Sequence, residues 1–141
     1  MLGALSATAL TLAVLVSGCG SSGGAYANAN RPAAPISISI SIAPGRIGVS
    51  PARVGAGPVL LLIANESGRT RDVTLRAAGG DRPCVAGDAS SGPIAPQGAA
   101  SMKLSLVQGT CEVRVADGGV PPARLVVGAR RPSGQQDLLQ P

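Results

Sequence analysis

Residues 36–42 read ISISISI, a strict alternation of isoleucine and serine. Successive side chains of a β-strand point to opposite faces of the sheet. The pattern therefore predicts a half-buried strand, with its isoleucines in a core and its serines facing solvent. This stretch indicates β-structure, and the residues that come after it show patterns of the same kind.

The residues after this strand form short extended segments separated by glycine and proline. Pieces near 47–49 and 52–54 flank Pro51, and the apolar run 58–65 predicts a central strand covered on both faces. Residues 71–77 alternate again, with Val73, Leu75 and Ala77 on the inward parity that Arg71 shares.

The second half of the domain is expected to begin with a long loop over residues 78–97, which contain seven glycines and prolines. Three strands follow it, over residues 100–106, 111–115 and 123–127. Met102, Leu104 and Leu106 share one parity, which makes Met102 a core residue rather than a ligand. About seven short strands at this spacing predict an all-β fold, a Greek-key β-sandwich.

The composition supports this fold class. The 141 residues include 20 glycines and 12 prolines, and Tyr26 is the single aromatic residue. The core must therefore be built from valine, leucine, isoleucine and alanine. Because it lacks the large buried area of aromatic side chains, this core has modest stability, and a covalent link would increase the stability of the fold.

The N-terminal segment has the features of an export signal. Residues 2–18 are uncharged and rich in leucine, alanine and valine, but they are too short and too diluted by serine and threonine to span a bilayer. The tetrad Val16-Ser17-Gly18-Cys19 resembles the bacterial lipobox, which implies that Cys19 is acylated and becomes the mature N-terminus. The alternative is a buried cysteine in an ordinary helix.

These features divide the chain into four segments. Residues 1–18 are a lipoprotein signal peptide, and residues 19–35 are a flexible linker that begins at the lipidated Cys19. Residues 36–129 form the sandwich, and residues 130–141 are a polar tail that packs as a strap or offers a contact motif. The expected location is the extracytoplasmic face of the cell membrane.

The net charge of +5 limits the range of partners. Basic residues are dispersed from Arg31 to Arg131 with no interleaved aromatic residues, so nucleic acid is excluded as a partner. The membrane, reached through the N-terminal lipid, is the expected partner, together with an anionic envelope polymer or an envelope protein. A merely solvated basic surface is the alternative.

Four stretches of the sequence carry a resemblance to a family: the opening strand, "PARVGAGPVLLLIANESGRTRDVTL", "IAPQGAASMKLSLVQGTCEVRV" and the closing strand "ARLVVG". Their order resembles the cupredoxin-like proteins of exported bacterial origin, over about residues 36–128, and implies a cupredoxin-like or immunoglobulin-like sandwich. Copper-binding members hold the metal with histidine, cysteine and methionine side chains.

The ligand positions implied by that resemblance carry other residues here. The first histidine position falls on Arg71, Val115 lies where the cysteine is expected, and the following "ADGGVPP" has neither histidine nor methionine. A blue-copper site needs two imidazoles and a thiolate, and this chain has no histidine. The resemblance therefore implies the fold with no metal and no cofactor.

Cys84 and Cys111 are the two cysteines left after Cys19. In an oxidising exported compartment they are expected to form one disulfide, which would tie the long loop to the penultimate strand. The alternative is a reduced pair of thiols that handles a ligand or a metal such as Cu(I).

No enzyme signature is present in the sequence. A serine nucleophile would need a base, and Lys103, the one lysine, lies alone on an exposed strand face. The seven carboxylates fall mostly in turns or on outward positions, and neither glycine-rich phosphate motif occurs. The chain is predicted not to be an enzyme.

Arg71, together with Arg69, is a candidate anion-binding site for an anionic envelope group. The resemblance implies that Arg71 lies at the end of the sandwich where a metal would be. A buried charge there needs a carboxylate partner or an anion. The alternative is that Arg71 bends outward and is hydrated.

Overall fold

The structure, a computed structural model, describes residues 31–79, 83–85 and 89–134. It contains eight β-strands: β1 (Ile36–Ala43), β2 (Arg46–Ser50), β3 (Arg53–Asn65), β4 (Arg71–Ala77), β5 (Ala89–Ile94), β6 (Ala99–Leu106), β7 (Gly109–Val115) and β8 (Ala123–Arg130). The predicted signal peptide, Cys19 and the linker up to residue 30 lie outside the described residues, as does the tail beyond Gly134.

Two sheets share the long strand β3. The first sheet has the order β2-β1-β3-β6, and the second has the order β3-β8-β7-β4-β5. β3 pairs with β8 through its first residues and with β1 and β6 from Gly57 onward. The register shifts between Gly55 and Ala56, and Gly57 has φ +130°, a conformation that favours glycine. The strand changes sheets at this point.

The core lies between the two sheets, and β1 contributes to it as its alternation predicts. Ile38, Ile40 and Ile42 are fully buried, whereas Ser37 and Ser39 are exposed. The second sheet faces them with Val73 and Leu75 of β4 and with the buried residues of β7 and β8, Cys111, Val113, Val115, Leu125 and Val127. Met102 and Leu104 pack against this core from β6. The fold is therefore an all-β sandwich, as predicted.

Two strand predictions need correction. The run 58–65 is the second part of β3, and only one of its faces is buried: Val59, Leu61 and Ile63 point inward, while Leu62 is 43% exposed. The prediction that this apolar run is covered on both faces is therefore wrong. Residues 89–94, predicted as loop, form the edge strand β5 despite Gly92 and Pro93, as an edge tolerates residues that a central strand excludes.

Strand direction gives the sandwich two distinct ends. The entry pole is the end where the chain enters β1: residues 31–35, the turn 107–108, the disulfide-linked Cys84 and Cys111, and residues 130–133 after β8. The loop pole is the opposite end, formed by the β3–β4 loop (66–70), the β5–β6 turn (95–98) and the β7–β8 loop (116–122).

Candidate functional site

Asn65 organises the loop pole from the last position of β3. Its side chain is buried, and Nδ2 donates to the carbonyl oxygens of Arg69, Ile94 and Ala95 at 2.8, 2.9 and 3.0 Å. The backbone N–H of Asn65 donates to the carbonyl of Gly98 at 2.9 Å. One residue thereby joins the β3–β4 loop to the β5–β6 turn.

Ser67 extends this network toward Arg71. Its hydroxyl donates to Asn65 Oδ1 at 2.6 Å and accepts from Arg71 Nε at 3.2 Å. Because Ser67 is itself buried, the hydroxyl fixes the arginine from inside the pole. Its position two residues after Asn65 is typical of a local Asx turn, and the Ser67 N–H donates to Asn65 Oδ1 at 3.1 Å.

Arg71 forms an ion pair with Asp117. Its Nη1 donates to Asp117 Oδ2, and the side chain of Arg71 is only 11% exposed, against 48% for Asp117. The register explains the contact, since Val73 of β4 pairs with Val115 of β7, and two residues further along this antiparallel pair Arg71 lies opposite Asp117. Arg71 is not turned outward and hydrated; Asp117 is the carboxylate partner that a nearly buried arginine requires.

Arg69 lies apart from this pair. It is exposed in the β3–β4 loop, and its carbonyl, rather than its guanidinium, takes part in the network around Asn65. In the described structure the nearly buried guanidinium of Arg71 is paired with a carboxylate, whereas Arg69 is exposed in the loop.

Two of the ligand positions implied by the resemblance carry other side chains in the structure. The position implied for the first histidine carries Arg71, which is paired with Asp117, and the position implied for the cysteine carries the buried Val115. Across residues 31–79, 83–85 and 89–134, no three histidine, cysteine, aspartate or glutamate side chains come together as a metal site.

The disulfide between Cys84 and Cys111 is present, as predicted, with an S–S distance of 2.11 Å and a Cα–Cα distance of 5.6 Å. Both residues are fully buried at the entry pole. Nearby, the Val107 N–H donates to the Cys84 carbonyl at 2.8 Å, and Val85 pairs with Leu106. Because the two sulfurs are bonded to each other, neither is a thiolate that could bind a metal. The alternative role, in which Cys84 and Cys111 handle a ligand or a metal, would require reduction of the disulfide.

Arg131 fastens the entry pole, a role that the sequence did not reveal. Its Nε donates to the carbonyl of Gly55 at 3.2 Å, Nη1 to that of Ala34 at 2.8 Å and Nη2 to that of Pro58 at 2.5 Å. A Cβ at Gly55 would lie 2.5 Å from Arg131 Cγ, so the glycine makes room for the arginine where β3 changes sheets. The first residues of the predicted polar tail are thus part of the domain.

A groove of about 770 Å³ lies on the outer face of the first sheet. Its lining consists mainly of small side chains from β1, β2, β3 and β6, with Leu62 as the exposed large residue: Ser39, Ser41, Gly48, Ser50, Leu62, Ala64, Ala99 and Ser101. The serines of the ISISISI stretch face it, as the alternation predicts. Glu66 also lines the groove, and no group of three histidine, cysteine, aspartate or glutamate side chains comes together among the described residues.

No family model matches the sequence, and no curated protein matches it. Among solved structures, the chain is similar to sodium-dithionite-reduced auracyanin from the photosynthetic bacterium Roseiflexus castenholzii (10% identity, 68% of this chain and 98% of that one, TM-score 0.49). It is also similar to an oxidized mutant of amicyanin (17% identity, 71% and 94%, TM-score 0.47) and to a reduced Cu(I) form of another amicyanin mutant (16% identity, 69% and 91%, TM-score 0.42).

These likenesses carry nothing about function to the present chain. The identities are 17% or lower and the TM-scores lie below 0.5. The fold class rests on the strand order and the shared core described above. In the described part of the chain no helix is long and apolar enough to cross a bilayer.

Proposed function

We propose that this chain is a membrane-anchored extracytoplasmic lipoprotein with a metal-free cupredoxin-like domain. In this proposal the domain is a non-catalytic interaction or structural module of the cell envelope. Its partners are the membrane, reached through lipid on Cys19, and an anionic envelope polymer or an envelope protein. Nucleic acid is not among them.

The observation that carries the proposal is the Arg71–Asp117 ion pair at the loop pole. In the cupredoxin-like resemblance this pole would hold the metal, and here it holds a guanidinium bonded to a serine hydroxyl and a carboxylate. Because these side chains bond to one another, they are not available as ligands for a metal. The proposed role of the domain is therefore to offer a binding surface and not to catalyse a reaction.

The anchoring part of the proposal rests on the sequence. An uncharged apolar run ends at Val16-Ser17-Gly18-Cys19, and two or three acyl chains on such a cysteine give stable anchoring, at about 0.8 kcal/mol per buried CH₂. The disulfide supports an oxidising compartment, where such bonds persist.

Metabolic labelling of the full chain with radioactive palmitate in a bacterial host tests the anchor. The expected result is label in the membrane fraction and a mature mass that begins at an acylated Cys19, with both lost in Cys19→Ser. Unlabelled wild-type chain that remains in the soluble fraction would refute anchoring. A thiol count on the mature protein tests the alternative accessory role, since zero titratable thiols is expected and two would favour that role.

A further inference from the structure

We infer that the entry pole is a docking surface for an anionic lipid bilayer, so that the domain rests on the membrane with its loop pole facing away. This inference rests on the proposed lipid anchor and adds an orientation and a set of contacts to it. The surface consists of Arg31, Pro32, Val107, Gln108, Arg130 and Arg131.

The shape of this surface comes from two structural features. Ala33, Pro58, Val107, Gln108 and the two arginines at the end of β8 surround a cavity of about 460 Å³. The Cys84–Cys111 disulfide supports the turn beneath Val107, and Arg131 fastens residues 34, 55 and 58 to one another. The surface is therefore preorganised.

An exposed apolar side chain projects from it. Val107 is 50% exposed at the tip of the β6–β7 turn, and in the described part of the chain only Leu62 is a comparably exposed large hydrophobic residue. Apolar residues next to cationic ones are typical of surfaces that lie in the headgroup region of a membrane.

The charge of the surface suits an anionic bilayer. Arg130 is exposed, and the guanidinium of Arg131 is bonded to backbone carbonyls, which leave its charge in place. The four described carboxylates lie at the loop pole or on the outer face of the second sheet: Glu66, Asp72, Glu112 and Asp117. Each arginine near an anionic surface strengthens binding about fivefold.

The position of the anchor favours the same end of the domain. Arg31 follows Cys19 by twelve residues, and a chain of that length with the behaviour predicted for the linker would have a root-mean-square span of about 20 Å. β1 then leads away from this end for eight residues, or about 26 Å. The entry pole is therefore the end of the domain that lies nearest to the bilayer.

The absence of tryptophan from the sequence provides a clean optical probe. Val107→Trp and Leu62→Trp are made in the full chain, which is purified from membranes and reconstituted into phosphatidylglycerol-rich vesicles containing bromine-labelled acyl chains. The expected result at low salt is at least twofold stronger quenching of the Val107→Trp variant. Gln108→Trp serves as a second probe of the same turn, should the first substitution disturb folding.

The charge contribution is tested in the same vesicles. Arg130→Gln, added to Val107→Trp, is expected to weaken the quenching, whereas Arg46→Gln, at the β1–β2 turn on the other side of the domain, leaves it unchanged. High salt or neutral phosphatidylcholine vesicles should also reduce it. Equal quenching at positions 107 and 62, or quenching that does not respond to lipid charge, would overturn the inference.

Flotation with the vesicles at 1 M salt separates docking from anchoring, since salt screens the arginines but leaves a lipid anchor in the bilayer. Chains that float without selective quenching at position 107 refute docking and leave the anchor intact. Chains that float only at low salt, with selective quenching, support docking and refute the anchor.

Discussion

The two poles of the sandwich are held together by different means. At the loop pole, the side chains of Asn65, Ser67, Arg71 and Asp117 bond to one another and to loop carbonyls. At the entry pole, a disulfide and one arginine bonded to three backbone carbonyls join the segments of the chain. A core without aromatic side chains leaves both ends in need of such links.

This difference determines what each pole can still bind. At the loop pole, the guanidinium of Arg71, the carboxylate of Asp117, the hydroxyl of Ser67 and the amide of Asn65 are paired with one another. At the entry pole, the guanidinium of Arg131 bonds to backbone carbonyls, which do not neutralise its charge. That positive charge can therefore attract an external anion.

The largest expected effect is the loss of the disulfide. Replacing Cys84 and Cys111 together by alanine should lower the free energy of unfolding by about 3.5 kcal/mol, because the cross-link restricts the unfolded chain over a loop of this length. Urea unfolding of the full chain measures the change. Wild-type protein under reducing conditions should show a similar loss, and a loss below about 1 kcal/mol would show that the bridge is not what secures the entry pole.

The matching change at the loop pole is Asn65→Ala. It removes the buried amide that bonds to the carbonyls of Arg69, Ile94 and Ala95. The Ala95 carbonyl keeps the Gly98 N–H as a donor, and the Arg69 carbonyl keeps the Ser67 hydroxyl. With about 1 kcal/mol for each of the three lost hydrogen bonds, we expect a loss of about 3 kcal/mol in the same unfolding assay. The exposed substitution Ser101→Ala should stay within about 0.5 kcal/mol, and a similarly small effect for Asn65→Ala would contradict the network.

Arg131→Met is expected to have a smaller effect. Methionine keeps much of the apolar stem but loses three charge-assisted hydrogen bonds to Gly55, Ala34 and Pro58, so a loss of about 2 kcal/mol should follow. Arg124→Met, at an exposed position of β8, is the matched control and should be close to neutral. Equal losses in the two variants would mean that Arg131 contributes only as a surface charge.

The smallest expected effect is the coupling within the Arg71–Asp117 pair. Because the Asp117 side chain is 48% exposed, a double-mutant cycle of Arg71→Ala and Asp117→Ala should give about 0.5–1 kcal/mol. The coupling should shrink in high salt. A coupling of zero at low salt would mean that the ion pair does not stabilise the contact between β4 and the β7–β8 loop.

The sequence predicts best where one local pattern decides the structure. The alternation over 36–42 gives the correct inward residues of β1, and Val73 and Leu75 of β4 follow the same rule. Prediction from the sequence fails where tertiary contacts decide which residues are buried. Leu62 belongs to an apolar run but faces solvent, because β3 has one face on the core and the other on an open groove.

The links at the two poles illustrate the same limit. Two cysteines left after Cys19, in a chain predicted to be exported, make the disulfide predictable by simple pairing. The partner of Arg71 depends on the register of β4 against β7, which places Asp117 opposite it. The role of Arg131 depends on a bend in β3 more than seventy residues earlier, and no local pattern signals that contact.

The central claim is that the Arg71–Asp117 pair stands in place of a metal at the loop pole. Native mass spectrometry of the purified full chain after incubation with Cu(II), and separately with Cu(I), tests it most directly. We predict the metal-free mass in both cases. One copper ion per chain that survives desalting in the wild type and is lost in Asp117→Ala would contradict the claim.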